Sequence, residues 1–325
     1  SNNKNKIAQL IVQAREVNKF HGTFLSSIMK YQVNGRIHGE IQQLRSDSGG
    51  TVSGRLSMSN PNLQQVPARN KDFGPKIRSL FIPEEGYKWG SFDYSQQEPR
   101  MTVHYAASIG DGYEGSNELV EAYHNTEADF HQTVADLVGI ERSQAKTIGL
   151  GLMYGMGKNK LALSLGVSKD EADQLIVKYN NKVPFVKKLS DRCKFAADEK
   201  GVIRTKKGRK CRFDMWETKD FGLHVAEKFD DAVAKYGKDN IKRAYTYKAL
   251  NRLIQGSSAD QTKQAMLDCY NAGHLPMLQI HDELCFNIKD DAHANEIKKI
   301  MENAIEFKVP SVVDKGLGES WGDAK

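Results

Sequence analysis

The sequence predicts an α+β fold: a small antiparallel sheet carrying helices, with a mostly helical region inserted between its strand-bearing parts. Short apolar and aromatic runs bounded by turn residues lie at 77–92 and again at 277–288, the pattern of strands and a hairpin. Apolar residues spaced by three and four dominate 115–200 and 245–270, the pattern of helices. At 325 residues with 39% apolar side chains, the chain is long enough for one large irregular domain or two to three subdomains.

In chain order, residues 7–31 set Ile7, Leu10, Ile11, Ala14, Val17, Phe20, Phe24, Ile28 and Tyr31 on one helical face. Lys4, Lys6, Arg15, Lys19 and Lys30 lie opposite. Residues 46–67 are dense in Gly, Ser, Asn and Pro and predict a loop, from which Arg55, Asn62 and Gln65 are long enough to reach a ligand. Strands are expected at 77–82 and 88–92, with a turn at 83–86. Ser95, with Glu98 three residues on, predicts an N-cap and capping box for a helix over about 98–108, Pro99 being tolerated only near its start. Asp93 then stands where a strand gives way to a helix, which suits a metal ligand and suits a plain turn.

His131 falls on an early helix of the 115–200 stretch. Arg142, Lys146, Leu150 and Tyr154 recur every four residues and form one slowly drifting stripe along a helix. Two cations, an apolar group and a phenol on one face suit a ligand with phosphate at one end and a flat ring at the other; an exposed basic face is the plainer reading. Residues 200–212 carry Lys200, Arg204, Lys206, Lys207, Arg209, Lys210 and Arg212 without an acid, a run suited to a phosphate backbone or to solvent. Residues 213–242 form a polar excursion. Asn251 and Gln255 lie four apart on a helix. His281-Asp282-Glu283 marks the bend of a hairpin, where adjacent acids are easier to rationalise beside a divalent cation.

The bulk features narrow the function classes. A net charge of +6 is compatible with a polyanionic partner. No C-x-x-C pair occurs among the four cysteines, so neither a zinc site nor a disulfide framework is indicated, and free thiols in a reducing, cytoplasmic compartment are expected. No apolar run is long enough for a membrane span, and no secretory signal opens the chain. No G-x-x-x-x-G-K-[ST] occurs, so phosphates are not cradled by that glycine loop.

Together the stretches resemble the polymerase core of family A DNA polymerases, the group of bacterial DNA polymerase I and many phage replicative enzymes. Asp93-Tyr94-Ser95-Gln96-x-Glu98-x-Arg100 is similar to motif A, Arg142-x-x-x-Lys146 with Tyr154-Gly155 to motif B, and His281-Asp282-Glu283 to motif C. Gly54-Arg55-Leu56-Ser57, Pro61-Asn62-Leu63-Gln64 and Asn251-x-x-x-Gln255-Gly256 match further segments. The resemblance implies a right-hand palm and mostly helical fingers. The expected division is 1–32 as a thumb remnant, 33–110 as the first part of the palm, 111–244 as fingers with the excursion, and 245–325 as the second part of the palm. It implies that Asp93 and Asp282, with the Tyr94 carbonyl, hold two magnesium ions (or manganese), with Glu283 in support. Arg142, Lys146 and His131 would neutralise a triphosphate, Lys146 being also the candidate proton donor. Gln96, Leu150 and Tyr154 would line the nucleotide, and Glu98 would exclude a ribose 2′-hydroxyl. Arg55, Asn62, Gln65, Arg100, Asn251, Gln255 and His281 would meet primer–template DNA.

Departures from the pattern are Leu150 for an aromatic residue, Gly149 for asparagine and Gln65 for asparagine, with Gln97 and Pro99 closer to phage enzymes. The expected partners are primer–template DNA, dNTPs and a separate polypeptide carrying thumb and exonuclease. The rival readings are a phage-type single-subunit RNA polymerase, against which Glu98 and Glu283 argue, and a non-catalytic DNA-binding subunit.

Overall fold

In the computed structural model the described residues are 6–46, 49–67, 70, 72–125, 129–220, 222 and 224–324. The chain divides into two compact units, one of Ser1–Tyr94, Thr262–Ala304 and Val313–Lys325, the other of Ser95–Gln261 and Ile305–Val312. Asp47 and Ser48 of the expected loop lie outside the described residues.

The first unit is built on a four-stranded antiparallel sheet in the order Leu278–Ile280, Glu283–Ile288, Lys88–Tyr94, Val313–Gly318. Alternation along a strand sends successive side chains to opposite faces. Phe92 and Tyr94 join Leu284, Phe286, Ile297 and Met301 in one core layer, under the helix Asp291–Glu302 and the end of the helix Ala249–Asn271. Trp89 joins Cys285, Ile280, Leu63, Ile77 and Trp321 in another. Gly90 is required by close packing, since a Cβ there would stand 2.4 Å from Ile288 Cγ1.

One expectation is corrected in this unit, and other features go beyond the sequence reading. The stretch 77–82 is not a strand: Gly74–Arg78 is a short helix opened by Pro75, and pairing begins only at Lys88. The N-terminal helical stretch buries Phe20, Phe24 and Ile28, while the helix Lys6–Lys19 buries no residue. The strand Val313–Gly318 was not anticipated, because its two glycines weaken the local signal. The 46–67 loop is more ordered than its composition suggests: Ser57–Ser59 pairs with Glu40–Gln42, and Leu63–Gln65 forms a 3₁₀ turn.

The second unit packs the helices Gln97–Ala107, Ser116–Asn125, Phe130–Val138, Arg142–Met153, Lys158–Leu165, Lys169–Lys182 and Pro184–Lys200 around Phe130, Ile148, Tyr179, Phe185 and Leu253. The basic run becomes the hairpin Val202–Arg204/Lys210–Arg212. Its tip is anchored on buried Asp260, which accepts Thr205 Oγ1 at 2.6 Å and Arg209 Nε at 2.6 Å. The excursion is a small αβ layer in which Trp216–Thr218 pairs with Ile241–Arg243, with the helix Phe229–Tyr236 between them in sequence. Residues 305–312 return as a strap, where the Lys308 amide donates to His104 Nδ1 at 3.0 Å and Gln261 Nε2 donates to Ser311 Oγ at 2.6 Å. All four cysteines are buried and free. Among the described residues no helix is long and apolar enough to cross a membrane.

Candidate active site

In the first unit the antiparallel register sets Glu283 opposite Asp93 on one side and Asp314 opposite it on the other. Directly paired residues share a face, so three carboxylates from three strands gather at one end of the sheet. Asp282 joins them from the two-residue turn between Ile280 and Glu283, where His281 adopts φ +56. The turn is braced from behind: Gln279 Nε2 donates to the His281 carbonyl at 2.6 Å, and Gln64 Nε2 donates to Gln279 Oε1 at 2.9 Å. Asn62 supports this brace by accepting the Gln64 amide at 3.1 Å.

Surrounding protein atoms, then Asp282, Glu283 and Asp314, push the Asp93 carboxyl up to about 7, against a lowering pull from Arg78. The side chain still meets solvent, which screens part of this repulsion. Among the described residues no three His, Cys, Asp or Glu side chains form a ready-made chelate. The donor chemistry fits a hard divalent cation: the acids are oxygen donors whose mutual repulsion such an ion would relieve. Tyr94 is fixed by its hydroxyl, which donates to the Met301 carbonyl at 2.6 Å.

In the second unit, the helix expected after Asp93 spans Gln97–Ala107, but its capping differs from the sequence reading. Ser95 does not cap it; Gln96 takes a left-handed conformation at φ 51, and the Ser95 amide donates to Val312 O at 2.9 Å. Gln96 Oε1 accepts the Phe130 amide at 2.9 Å, which commits it to the start of the helix Phe130–Val138. Glu98 is buried and accepts the Tyr154 hydroxyl at 2.5 Å through Oε2. Arg100 is buried, donating to the carbonyls of Ser95 and Pro310 at 2.9 Å each and lying 4.5 Å from the Tyr123 ring centre. That is the placement of an internal strut and not of an exposed DNA contact.

The stripe on Arg142–Met153 forms as expected, with Tyr154 at the helix end. Lys146 is exposed, Leu150 half-buried, and Arg142 grips Asp129 through Nε at 2.7 Å and Nη2 at 2.5 Å. Asp129, which the sequence reading passed over, also caps the helix Phe130–Val138 by accepting the His131 and Gln132 amides. His131 is buried and its Nδ1 has no hydrogen-bond partner; burial holds it down to about 4, opposed by Asp129 and reinforced by Lys146 and Arg142. Gly149 lets the helix approach Tyr179, whose hydroxyl would stand 3.2 Å from a Cβ there. Asn251 and Gln255 are half-buried on their helix, Arg55 and Asn62 are half-buried, and Gln65 and His281 are exposed.

The DNA polymerase family A model matches residues 1–323. The chain belongs to family A. It is 40% identical to a DNA-directed DNA polymerase of Pseudomonas phage M6, over 97% of this chain and 51% of that protein. It is 30% identical to the thermostable DNA polymerase I of Thermus filiformis, over 98% of this chain and 36% of that protein. The chain thus spans about half the length of the phage relatives it matches, and less of the bacterial one. Its architecture is similar to the POL domain of Pol1 from M. smegmatis in complex with DNA primer-template and dNTP, with TM-score 0.78 and 28% identity, covering 97% of this chain and 53% of that one. The family resemblance read from the motifs is therefore correct, as is the α+β class. Beyond those motifs, the fold adds Asp129 to the Arg142–Tyr154 stripe, and Asp314, Arg78 and Trp321 to the acidic end of the sheet. Short-range sequence signals do not reveal these, because each acts across a long stretch of chain.

Proposed function

We propose that this chain performs template-directed DNA synthesis, adding deoxynucleotides to a primer 3′-hydroxyl with release of pyrophosphate. The register that sets Glu283 opposite Asp93 carries the reading, since it crowds acids distant in sequence at one end of one sheet. Asp93 and Asp282, with the Tyr94 carbonyl, would hold two magnesium ions or manganese, and Glu283 would support them. Bound there, such ions supply activation of the attacking hydroxyl and relief of charge on the departing pyrophosphate.

In the second unit, Arg142 and Lys146 supply the positive charge that binds and orients a triphosphate. Arg142 exchanges Asp129 for phosphate, and Lys146 Nζ is the proton donor to the leaving group. His131, held neutral by burial, adds a polar ring but no charge, so the neutralising expected of it falls to Arg142 and Lys146. Gln96 supports the nucleotide indirectly through the Phe130 amide, and Leu150 gives the sugar an aliphatic contact where family relatives carry a ring. Glu98, fixed by the Tyr154 hydroxyl, restricts the sugar to one lacking a 2′-hydroxyl. Arg55, Asn62, Gln65, Asn251, Gln255 and His281 meet primer–template DNA, and the exposed Arg204, Lys207, Lys210 and Arg212 add phosphate contacts. In this reading 1–32 is the thumb remnant, the rest of the first unit is palm and the second unit carries the fingers, with 95–110 and 245–261 packing in the second.

Primer extension with this chain and magnesium, comparing dNTPs with NTPs, tests the proposal. Extension with dNTPs alone is expected, abolished by Asp93→Asn or Asp282→Asn with DNA binding retained. Extension with NTPs only, or undiminished extension by both variants, refutes it.

A further inference from the structure

The C-terminal tryptophan and a short-helix arginine converge on the acidic end of the sheet. Trp321 is 1% exposed, and its indole Nε1–H donates to Glu283 Oε1 at 3.3 Å. Trp89 stacks beside it at 6.1 Å and Phe81 meets it edge-on at 5.5 Å, so the indole has little freedom to turn that N–H elsewhere. The Trp321 amide donates to Phe81 O at 2.9 Å, which fixes the backbone as well. The Arg78 guanidinium covers the indole, 4.3 Å from its centre. Its Nε is buried without a hydrogen-bond partner, so the side chain is held by the ring and by charge. Glu283 and Asp93 are among the groups that attract it.

These contacts form a relay of position. An indole N–H aimed at one carboxylate oxygen fixes the rotation of that carboxylate. A cation over the ring polarises the indole and makes its N–H a stronger donor. With Oε1 held by Trp321, the oxygen of Glu283 left to meet a cation or its water is Oε2. Cys285 Sγ lies 3.5 Å from the same Oε1, which closes the back of the carboxylate.

We infer that Trp321 and Arg78 are positioning residues for the metal-binding carboxylates: Trp321 orients Glu283 through its indole N–H, and Arg78 holds the indole and balances the acidic charge. This rests on the proposed two-metal reading of Asp93 and Asp282. Neither residue touches nucleotide or DNA in this role. Both act only through the carboxylates.

Trp321→Phe keeps a ring for Arg78 and for packing while deleting the N–H, so it isolates the hydrogen bond from the core. Arg78→Lys keeps the charge and loses the planar stack; Arg78→Met keeps the length alone. Free Mn²⁺, followed by its paramagnetic resonance signal, is titrated into each variant bound to primer–template without nucleotide. Single-turnover dNTP addition is then measured across magnesium concentrations. Trp321→Phe is expected to weaken Mn²⁺ binding and raise the half-saturating magnesium about tenfold, the loss of one charge-assisted hydrogen bond. The dNTP affinity at saturating magnesium and the denaturation midpoint should change less than twofold and marginally, respectively. Arg78→Met should lose more than Trp321→Phe, with Arg78→Lys recovering part.

Mn²⁺ binding and magnesium dependence unchanged in Trp321→Phe and Arg78→Met, while Asp93→Asn and Asp282→Asn abolish Mn²⁺ binding, overturns this inference and leaves the site reading intact. Mn²⁺ binding unaffected by Asp93→Asn and Asp282→Asn overturns the site reading itself. A drop in denaturation midpoint with Mn²⁺ binding preserved makes Trp321 a core residue only and also overturns the inference.

Discussion

Replacing Asp260 by alanine should loosen the basic hairpin of the second unit. Asp260 is 8% exposed and accepts from Arg209 Nε at 2.6 Å, Arg209 Nη2 at 2.5 Å and Thr205 Oγ1 at 2.6 Å. Thr205 Oγ1 in turn accepts the Arg209 amide at 3.1 Å, closing the tip of the turn. Removing one partner of a buried ion pair costs about 3–5 kcal/mol. The Arg209 side chain is 31% exposed and can rehydrate, which lowers the expected loss to about 2–3 kcal/mol. Thr205→Val, which removes one hydroxyl from the same carboxylate, should cost about 1 kcal/mol. Chemical denaturation read by far-UV circular dichroism measures both, and a cycle with Arg209→Gln isolates the pair. On the proposed reading, in which Arg204, Lys207, Lys210 and Arg212 on the hairpin meet phosphates, duplex DNA binding should weaken in the same order and lose part of its salt dependence. A loss under about 1 kcal/mol for Asp260→Ala would refute the claim that this carboxylate anchors the hairpin.

Gly90→Ala should destabilise the first unit by roughly 1–3 kcal/mol through overpacking, since its Cβ would meet Ile288 Cγ1 at 2.4 Å and Phe92 at 2.9 Å. A denaturation midpoint equal to that of the parent would show that the sheet yields. His104 is held down to about 4 by burial, then by Lys206 and Lys308, while its Nδ1 accepts the Lys308 amide. The unfolded state therefore binds the extra proton between about pH 6.5 and 4, and stability relative to His104→Gln should fall as pH drops through that window and stay level above it. Comparing the two proteins cancels titrations of opposite sign, such as that of Asp93. A difference that does not change with pH would refute the neutral, buried assignment.

The motifs were legible where one short segment carries them. The four-residue recurrence from Arg142 to Tyr154 needs only helical geometry, and the helix forms as read. The hairpin at His281-Asp282 likewise follows from two flanking apolar runs. The local reading failed where distant contacts override it. Ser95 and Glu98 have capping-box spacing, yet Glu98 turns to Tyr154 and Gln96 to the Phe130 amide, so the helix starts from a left-handed residue instead. The same spacing three residues apart is used at Glu141, whose amide donates to Gln144 Oε1 at 3.3 Å. Arg100, expected to meet DNA, is instead engaged inside, donating to the carbonyls of Ser95 and Pro310. Asp314 escaped notice because its strand contains glycines, although its register beside Asp93 makes it part of the acidic end.

The strand order has a consequence for biosynthesis. Lys88–Tyr94 is central in its sheet, but both of its neighbours, Glu283–Ile288 and Val313–Gly318, are translated long after it. During translation its Trp, Phe and Tyr side chains must wait, unpaired, while residues 95–261 of the helical unit leave the ribosome. Such late closure of non-local pairs is slow and leaves sticky surface uncovered. A nascent chain of this kind is a natural client for a holdase, and its yield should depend more on synthesis rate and temperature than the stability of the finished protein suggests.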